Sequence, residues 1–414
     1  MSKLSEFCIK ITDGEHGSVK DDENGSYFFL NNNNITDQGI IISQNDRRIS
    51  KSDFDRIHKR TQLDYNDIII ATCGTIGKSL VIQDHNINYE FSRSVGIIKC
   101  DTNKLLPLYL HYFFENPVTQ ARIKRISEGG VQKHFYIGAM SDFDIEVPSL
   151  EEQKKIVQVL SSLDAKISLN RSIISDLESL SRQIYDYWFV QFDFPDEHGR
   201  PYKSSGGKMV WNNKLKRRIP ATWEVKSLRD IENIIITGKT PSTKIEEYFG
   251  GNIPFVTIDD IRGNSYVVNT TKSLSKLGAD TQFNKYLPPE SLCVSCIATP
   301  GLVGFTTAVL SQTNQQINSI VFKNNDNKLY LYFALKDYFA TNFGVKTGNT
   351  FANMNKDEFS SIQLAYSEKI IKQFSLEVSK IFEKIKCCLE ENRTLTTLRD
   401  FLLPMLMNGQ VTVK

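Results

Sequence analysis

Three features of this chain could carry chemistry outright. Cys293-Val294-Ser295-Cys296 has the Cys-x-x-Cys spacing of a metal or redox pair. It lies in a strand-like run, where residues three apart face opposite sides, and no second pair follows. Asn116-Pro117-Val118 contains the sole Asn-Pro pair. It lacks the aromatic that would stack an extruded base in an amino-methyltransferase pocket. Asp259-Asp260 has the oxygens to bind magnesium, but it reads better as the end of a strand. His16, His58, His85, His111, His134 and His198 show no ligand or triad spacing. A Gly-x4-Gly-Lys-Ser/Thr phosphate cradle is missing, and so is a Gly-x-Gly-x-x-Gly after a strand. The expectation is a chain that binds, with no metal or cofactor of its own.

Composition is compatible with that. The chain has 414 residues, too many for one ordinary domain, and 40% are hydrophobic, enough for real cores. Its 50 basic and 48 acidic residues leave a net charge of +2, which neither requires nor excludes a polyanionic partner, since a basic footprint can be local. No apolar run approaches the roughly 20 residues of a membrane helix, and the first residues have no signal-peptide core. Seven scattered cysteines suit a reducing cytoplasm better than a disulfide framework.

The elements that position any binding residue are written twice, at an offset of roughly 220 residues, so the repeating unit is a domain. Leu4-Ser5-Glu6 and Ile11-Thr12-Asp13-Gly14 are matched by Leu228-Arg229-Asp230 and Ile236-Thr237-Gly238. The strand-like run Asp67–Thr72 with Gly74 and Gly77 is matched by Ser291–Cys296 with Gly301 and Gly304. The aromatic segments 108–114 and 329–335 read as helix core rather than as stacking platforms. Gly129-Gly130 with Phe135 then parallels Gly348 with Phe351, and each copy ends in a long helix.

The first of these helices starts with good signals. Pro148 precedes Ser149-Leu150-Glu151-Glu152, a capping-box pattern. Ile156, Leu160, Leu163, Ile167, Ile174, Leu177, Ile184 and Trp188 then trace a heptad seam. In the second, Ile371, Phe374, Val378, Ile381, Ile385, Cys388, Leu395 and Leu402 do the same. Asn170 and Asn392 interrupt the seams. A polar residue there costs stability and can set register; the alternative is that each meets water at the seam's edge. About 40 residues per helix would span ~60 Å. With a domain between them, the two would pair antiparallel. Pro404 should end or kink the second near Leu403, and Asn408-Gly409 is a plausible stop. Residues 193–220, rich in Pro, Gly, Ser and Lys/Arg, read as an irregular exposed linker.

This order, α/β domain, long helix, α/β domain, long helix, resembles the specificity subunits of type I restriction–modification systems. Pro220-Ala221-Thr222-Trp223-Glu224-Val225 resembles the family's lead-in to a recognition domain. Gly238-Lys239-Thr240-Pro241-Ser242 and Pro254–Ile261 resemble its next two blocks. Glu152-Gln153 resembles its helix start after a proline, and Leu402–Gly409 its C-terminal ending. The first half lacks the Pro-Trp lead-in, and at the second helix start Lys369 stands where the first has Gln153.

The resemblance implies an α/β fold with two target-recognition domains, two long antiparallel coiled-coil helices and a pseudo-twofold repeat. The expected divisions are 1–148 and 221–366 for the recognition domains and 149–192 and 367–408 for the helices, with 193–220 as linker and 409–414 as tail. It implies double-stranded DNA with a bipartite target, two methyltransferase subunits and separate translocating restriction subunits as partners. S-adenosylmethionine, ATP and magnesium would belong to those partners, in a bacterial or archaeal cytoplasm. Side chains that can pair with base edges or phosphates are the candidates. In the first half they are Arg47, Arg48, Lys51, Lys78, Arg93, Lys133 and His134; in the second, Lys239, Thr240, Lys244, Asn314, Gln315, Lys346, Asn349 and Asn353. The turns at Gly74–Gly77 and Gly301–Gly304 either let backbone approach a phosphate or simply join core strands. Two other classes stand beside this reading: a free-standing nuclease or methyltransferase, and a coiled-coil scaffold that binds no DNA. Two diverged globular heads favour the split-site reader over the scaffold.

Overall fold

The computed structural model describes residues 2–36, 39–127, 134–343 and 353–413. They form two compact units, Met1–Ser168 with Leu395–Lys414, and Leu169–Thr394. Lys133, Lys346 and Asn349, with Gly129, Gly130, Gly348 and Phe351, lie outside the described residues.

The first unit contains β1 (Cys8–Asp13), β2 (Tyr27–Leu30), β3 (Arg48–Ile49), α1 (Lys51–Thr61), β4 (Ile68–Ala71), β5 (Ser79–Val81), β6 (Tyr89–Phe91), β7 (Val95–Cys100), α2 (Pro107–Glu115), α3 (Pro117–Ser127) and the start of α4 (Leu150–Tyr185). An antiparallel sheet has the order β1-β7-β4-β5, and a second has the order β3-β2-β6 with β2 parallel to β6. The Ile68-Ile69-Ile70 run explains how one strand serves two cores. Successive side chains point to opposite faces. Ile68 and Ile70 join Ile98, Leu110 and Phe114 in one cluster, while Ile69 and Ala71 join Leu30, Phe91 and Ile97 in another.

The second unit repeats this plan. Its elements are β8 (Met209–Asn212), β9 (Arg217–Pro220), β10 (Ile234–Thr237), β11 (Phe249–Val256), β12 (Tyr266–Val267), β13 (Lys272–Leu274), β14 (Leu292–Ser295), β15 (Val303–Thr306), β16 (Gln312–Thr313), β17 (Ile317–Val321), α5 (Asn327–Phe343) and most of α6 (Glu368–Met407). The sheets have the orders β10-β17-β14-β15-β12 and β13-β11-β16, and β11 runs parallel to β16. Leu292 and Val294 enter the large core and Cys293 the small one. The two cysteines of the Cys-x-x-Cys pattern thus face different cores. Burial pushes their thiols up to about 12 at Cys293 and about 11 at Cys296, far from a ligand thiolate.

Residues 193–220 depart from the expected irregular linker. Strands β8 and β9 pair as an antiparallel hairpin. Phe192 and Phe194 are buried against Trp223, the tryptophan of the lead-in block. The Gly/Ser-rich composition belongs to the turn at 203–207, and scattered aromatics supply the packing that such composition conceals.

The long helices start as expected. The Ser149 amide donates to Glu152 Oε2 (3.0 Å) and the Glu152 amide to Ser149 Oγ (3.3 Å), closing the capping box. Gln153 is fully buried. Its Oε1 accepts from the Leu106 amide (2.8 Å), and its Nε2 donates to the Lys104 and Pro148 carbonyls (2.9 Å each). One amide therefore ties the helix start to the loop before α2. The residue one turn into α6 is Ile371, whose amide reaches Ser367 as that of Gln153 reaches Ser149. Ile371, rather than the exposed Lys369, is the counterpart of Gln153, and it answers an apolar floor.

In each unit the two helices run antiparallel. In the first, Ile156 and Leu160 share a core with Leu403 and Leu406, and Asp164 Oδ1 meets Arg399 NH1 at 2.9 Å. In the second, Asn170 Nδ2 donates to Asn392 Oδ1 (3.0 Å) and Glu391 Oε2 (2.8 Å), and Tyr185 reaches Phe374. Asn170 is 1% exposed and its Oδ1 has no partner, whereas Asn392 is half-buried. Pro404 does not end α6, which runs to Met407. Position 404 lacks only one donor in the final turns, and a left-handed Gly409 (φ 68°) closes the helix with bonds from the Gln410 amide to Met405 O and the Gly409 amide to Leu406 O. No described helix is long and apolar enough to cross a membrane.

Candidate nucleic-acid interface

One edge of each unit carries several of the polar candidates, and five backbone bonds that build it recur in both. In the first unit the Gly14 amide donates to Val95 O (2.9 Å) and the Glu15 amide to Phe91 O (2.8 Å). In the second, Gly238 donates to Ile317 O (3.0 Å) and Lys239 to Thr313 O (2.9 Å). Thr72 N to Ser94 O is matched by Cys296 N to Gln316 O, Phe135 N to Thr72 O by Met354 N to Cys296 O, and Ser92 N to Leu30 O by Asn314 N to Val256 O. These bonds gather the ends of β1, β2, β4 and β6 in the first unit and of β10, β11, β14 and β16 in the second. Glycine is required at 14 and 238 because the loop lies on the neighbouring backbone. A Cβ would come within 2.1 Å of Phe91 O at Gly14 and of Asn314 O at Gly238.

Most second-half candidates lie together here. Lys239 is exposed, and its carbonyl accepts from Gln282 Nε2 at 2.7 Å. Thr240 Oγ1 donates to Gln315 Oε1 at 2.7 Å, and Asn314 Nδ2 donates to Gln316 Oε1 at 2.9 Å. Asn353 is exposed and bridges Ile297, next to Cys296. Lys244 is exposed in the following turn. Gln282 is itself buried, bonded to Lys239 O and Gln312 Oε1, and it holds the exposed Phe283 beside the loop.

The first-half candidates divide. Arg93 is exposed on the edge, its amide on Glu15 O (3.0 Å), and half-buried His134 precedes Phe135, where Asn353 precedes Met354. Lys78 belongs to the turn after β4. Arg47 and Arg48 are occupied by the protein. Arg47 Nε pairs with Asp21 (2.6 Å), and its NH2 donates to Val19 O while its guanidinium covers Phe29; Arg48 covers Phe28 and donates to Gly25 O. Lys51 pairs with Asp55 along α1. Gly77, Gly301 and Gly304 pack against Gln120, Phe339 and Asn264, which fits core turns; Gly74 is exposed beside Asn32.

Several edge residues escaped the sequence reading. Glu15 and His16 occupy the places of Lys239 and Thr240. Arg56 NH1 lies 3.4 Å from Glu15 Oε1, Arg60 Nε 3.8 Å from Glu15 Oε2, and His16 Nε2 2.6 Å from Asp13 Oδ2. Burial works to raise the Glu15 carboxyl, but the Gly17 amide, Arg56 and Arg60 outweigh it and hold the group below the usual carboxylate range. Behind the edge, burial lifts the Glu90 carboxyl above its usual range against hydrogen bonds from His58 and Thr61, and its Oε2 has no partner. The tip after β2, Asn31–Asn34, was also missed. Asn32 N donates to Ser94 Oγ at 3.1 Å. The repeat itself was the usable signal for Glu15 and His16. Carboxylates such as Glu15 also accept from cytosine N4.

The arrangement offers fixed backbone with projecting amides, carboxylates and cations, the donors and acceptors that base edges and phosphates present in complement. The family described as "Type I restriction modification DNA specificity domain" matches residues 1–179 and 220–373. The "Type I restriction enzyme HindI specificity subunit" of Haemophilus influenzae is 32% identical over 387 residues, covering 81% of this chain and 84% of that one. The chain belongs to the type I restriction–modification specificity-subunit family. The MjaIX specificity subunit of Methanocaldococcus jannaschii is 26% identical over 321 residues, covering 74% of this chain and 69% of that one. In fold, the chain resembles the type I S subunit of M. genitalium, with a TM-score of 0.55, 15% identity, and coverage of 98% of this chain and 95% of that one. As in a specificity subunit, an α/β recognition unit recurs twice, with a long helix after each copy.

Proposed function

We propose that each repeat reads one half of a bipartite double-stranded DNA target through the edge described above. The chain contributes recognition and no catalysis. The antiparallel helices set the spacing of the half-sites and dock two methyltransferase subunits. Those partners supply S-adenosylmethionine chemistry, and translocating restriction subunits supply ATP hydrolysis, magnesium and cleavage, in a bacterial or archaeal cytoplasm. Residues 1–148 and 221–366 would be the recognition domains and 149–192 and 367–408 the spacer.

One observation carries the reading: the two edges share five matched backbone bonds, yet the side chains they project differ at nearly every place. A scaffold has no use for one frame with two sets of polar tips, whereas two different half-sites demand it. Exposed apolar residues on the helices support docking: Leu180, Tyr187, Val190 and Leu376 in the second unit, Leu398 and Phe401 in the first. Methylation mapping of host DNA with the chain present and deleted tests the proposal. A single split motif should vanish on deletion, and an unchanged methylome refutes it.

A further inference from the structure

The tip that follows β2 in the first unit and β11 in the second is built alike in both. The Asn31 amide donates to Asn34 Oδ1 (2.9 Å), and the Thr257 amide donates to Asp260 Oδ2 (2.8 Å). Each box locks a turn whose third residue points away from it: Asn33 is exposed, and the Asp259 side chain is 84% exposed. The turns are braced further. Asn34 Nδ2 donates to Ile41 O (2.9 Å), and Asp260 Oδ1 accepts from the Thr271 amide (2.8 Å) and hydroxyl (2.9 Å). In both units the strand leading into the tip ends on the edge, since Leu30 O accepts from Ser92 and Val256 O from Asn314.

We propose that Asn33 and Asp259 are equivalent specificity-determining residues, each reading one base, adenine in the half-site of the first unit and cytosine in that of the second. The inference rests on the edge being the DNA-reading surface. An asparagine amide matches the N6 donor and N7 acceptor of adenine, and a carboxylate accepts from cytosine N4 but offers adenine N7 no donor. Asn33 keeps that capacity. Its Oδ1 accepts one bond, from Asn32 Nδ2 at 3.3 Å, and an amide oxygen has a second lone pair. Asp259 meets Arg262 NH2 only at 3.7 Å and in the open, an ion pair that a base can displace. Beside phosphates an exposed carboxylate is a liability, so its placement on a rigid tip is accounted for by a base donor. In both turns these bonds fix the backbone from which the side chain projects, as direct readout needs.

The test uses the full chain reconstituted with its methyltransferase subunits and scores methylation of DNA libraries randomised at each target position. Asp259→Asn should move preference at one position of one half-site from cytosine toward adenine, with roughly ten- to hundredfold changes in relative methylation. Asn33→Asp should make the reverse change in the other half, and Asp259→Ala should relax its position without a new preference. Both sites are solvent-facing, so unchanged melting curves are expected. Wild-type profiles from well-folded Asn33→Asp and Asp259→Asn complexes overturn the inference, as does weaker methylation with unaltered base preference. Lys239→Ala and Gln315→Ala separate the two levels. If they change binding or preference while the tip variants do not, the edge stands and the tips fall; if none of the five has any effect, the edge reading falls as well.

Discussion

The edges of the two units are built on one hydrogen-bonding frame and differ in charge. After Gly14 come Glu15 and His16, with Asp13, Arg56 and Arg60 locked among them. After Gly238 come Lys239 and Thr240, with a neutral amide network through Gln282, Gln315 and Gln312. A frame of main-chain amides and carbonyls is indifferent to side-chain identity, so duplication can preserve it while the projecting groups diverge. The helix pair shows the same division. An ion pair, Asp164–Arg399, with Tyr112 donating to Asp164 Oδ2 (2.7 Å), holds it in the first unit, and an asparagine contact holds it in the second.

The largest effect should come from attacking what the units share. Gly14→Ala and Gly238→Ala each force a Cβ onto a carbonyl and should cost about 1–3 kcal/mol. Hydrogen exchange should show the loss confined to the mutated unit; equal loosening of both would break the picture of two separate frames. Next, Asn170→Leu with Asn392→Leu removes a buried unpartnered oxygen. The pair should raise stability by about 1 kcal/mol and loosen the spacing of the methylated motif, if the asparagines set register. An unchanged single spacing would end that role. Lys239→Ala should weaken binding evenly across sequences and lower the salt slope by about 1, while Glu15→Ala should leave the slope in place. A salt titration of both variants would expose the edges as equivalent if the slopes moved together.

The smallest effect concerns pH. The folded state depresses the Glu15 carboxyl, so its contribution is present above the unfolded value of about 4.3 and is lost as pH falls through the lower folded value. Glu15→Gln should therefore lower stability at pH 7 by up to about 1 kcal/mol, the difference closing in acid. Thermal melts of both proteins across pH would show Glu15→Gln as the more stable protein at pH 7 if Glu15 were instead strained by burial.

Much of the architecture was legible in the residues. The capping box at Ser149, the apolar periodicity of the seams and the Asn408-Gly409 stop are local patterns, governed by interactions within a few residues of chain, and the repeat is legible by comparing the chain with itself. Ile156, Leu160, Ile167 and Ile174 are buried as the heptad reading requires. Toward the end of α6 the seam drifts: Leu395 and Leu402 are half-buried while Leu403 and Leu406 go inside, because 3.6 residues per turn does not divide seven. The order in 193–220 was hidden because the buried packing beside it, Phe192 and Phe194 on Trp223, joins residues about 30 apart in the chain.

By itself the sequence determined the doubled α/β plan and the helices, since these follow from a repeated order of landmarks and from periodicity and residue type along the chain. Tertiary structure alone decided which polar groups share an edge. The Asn32 amide donates to Ser94 Oγ and the Lys239 amide to Thr313 O, bonds between segments more than 60 residues apart that no local pattern encodes. It also decided that Arg47 and Arg48, basic and apparently free in the sequence, spend their guanidinium groups on Phe29, Phe28 and nearby carbonyls. A side chain's availability depends on the partners that folding brings to it, and those are set by long-range packing.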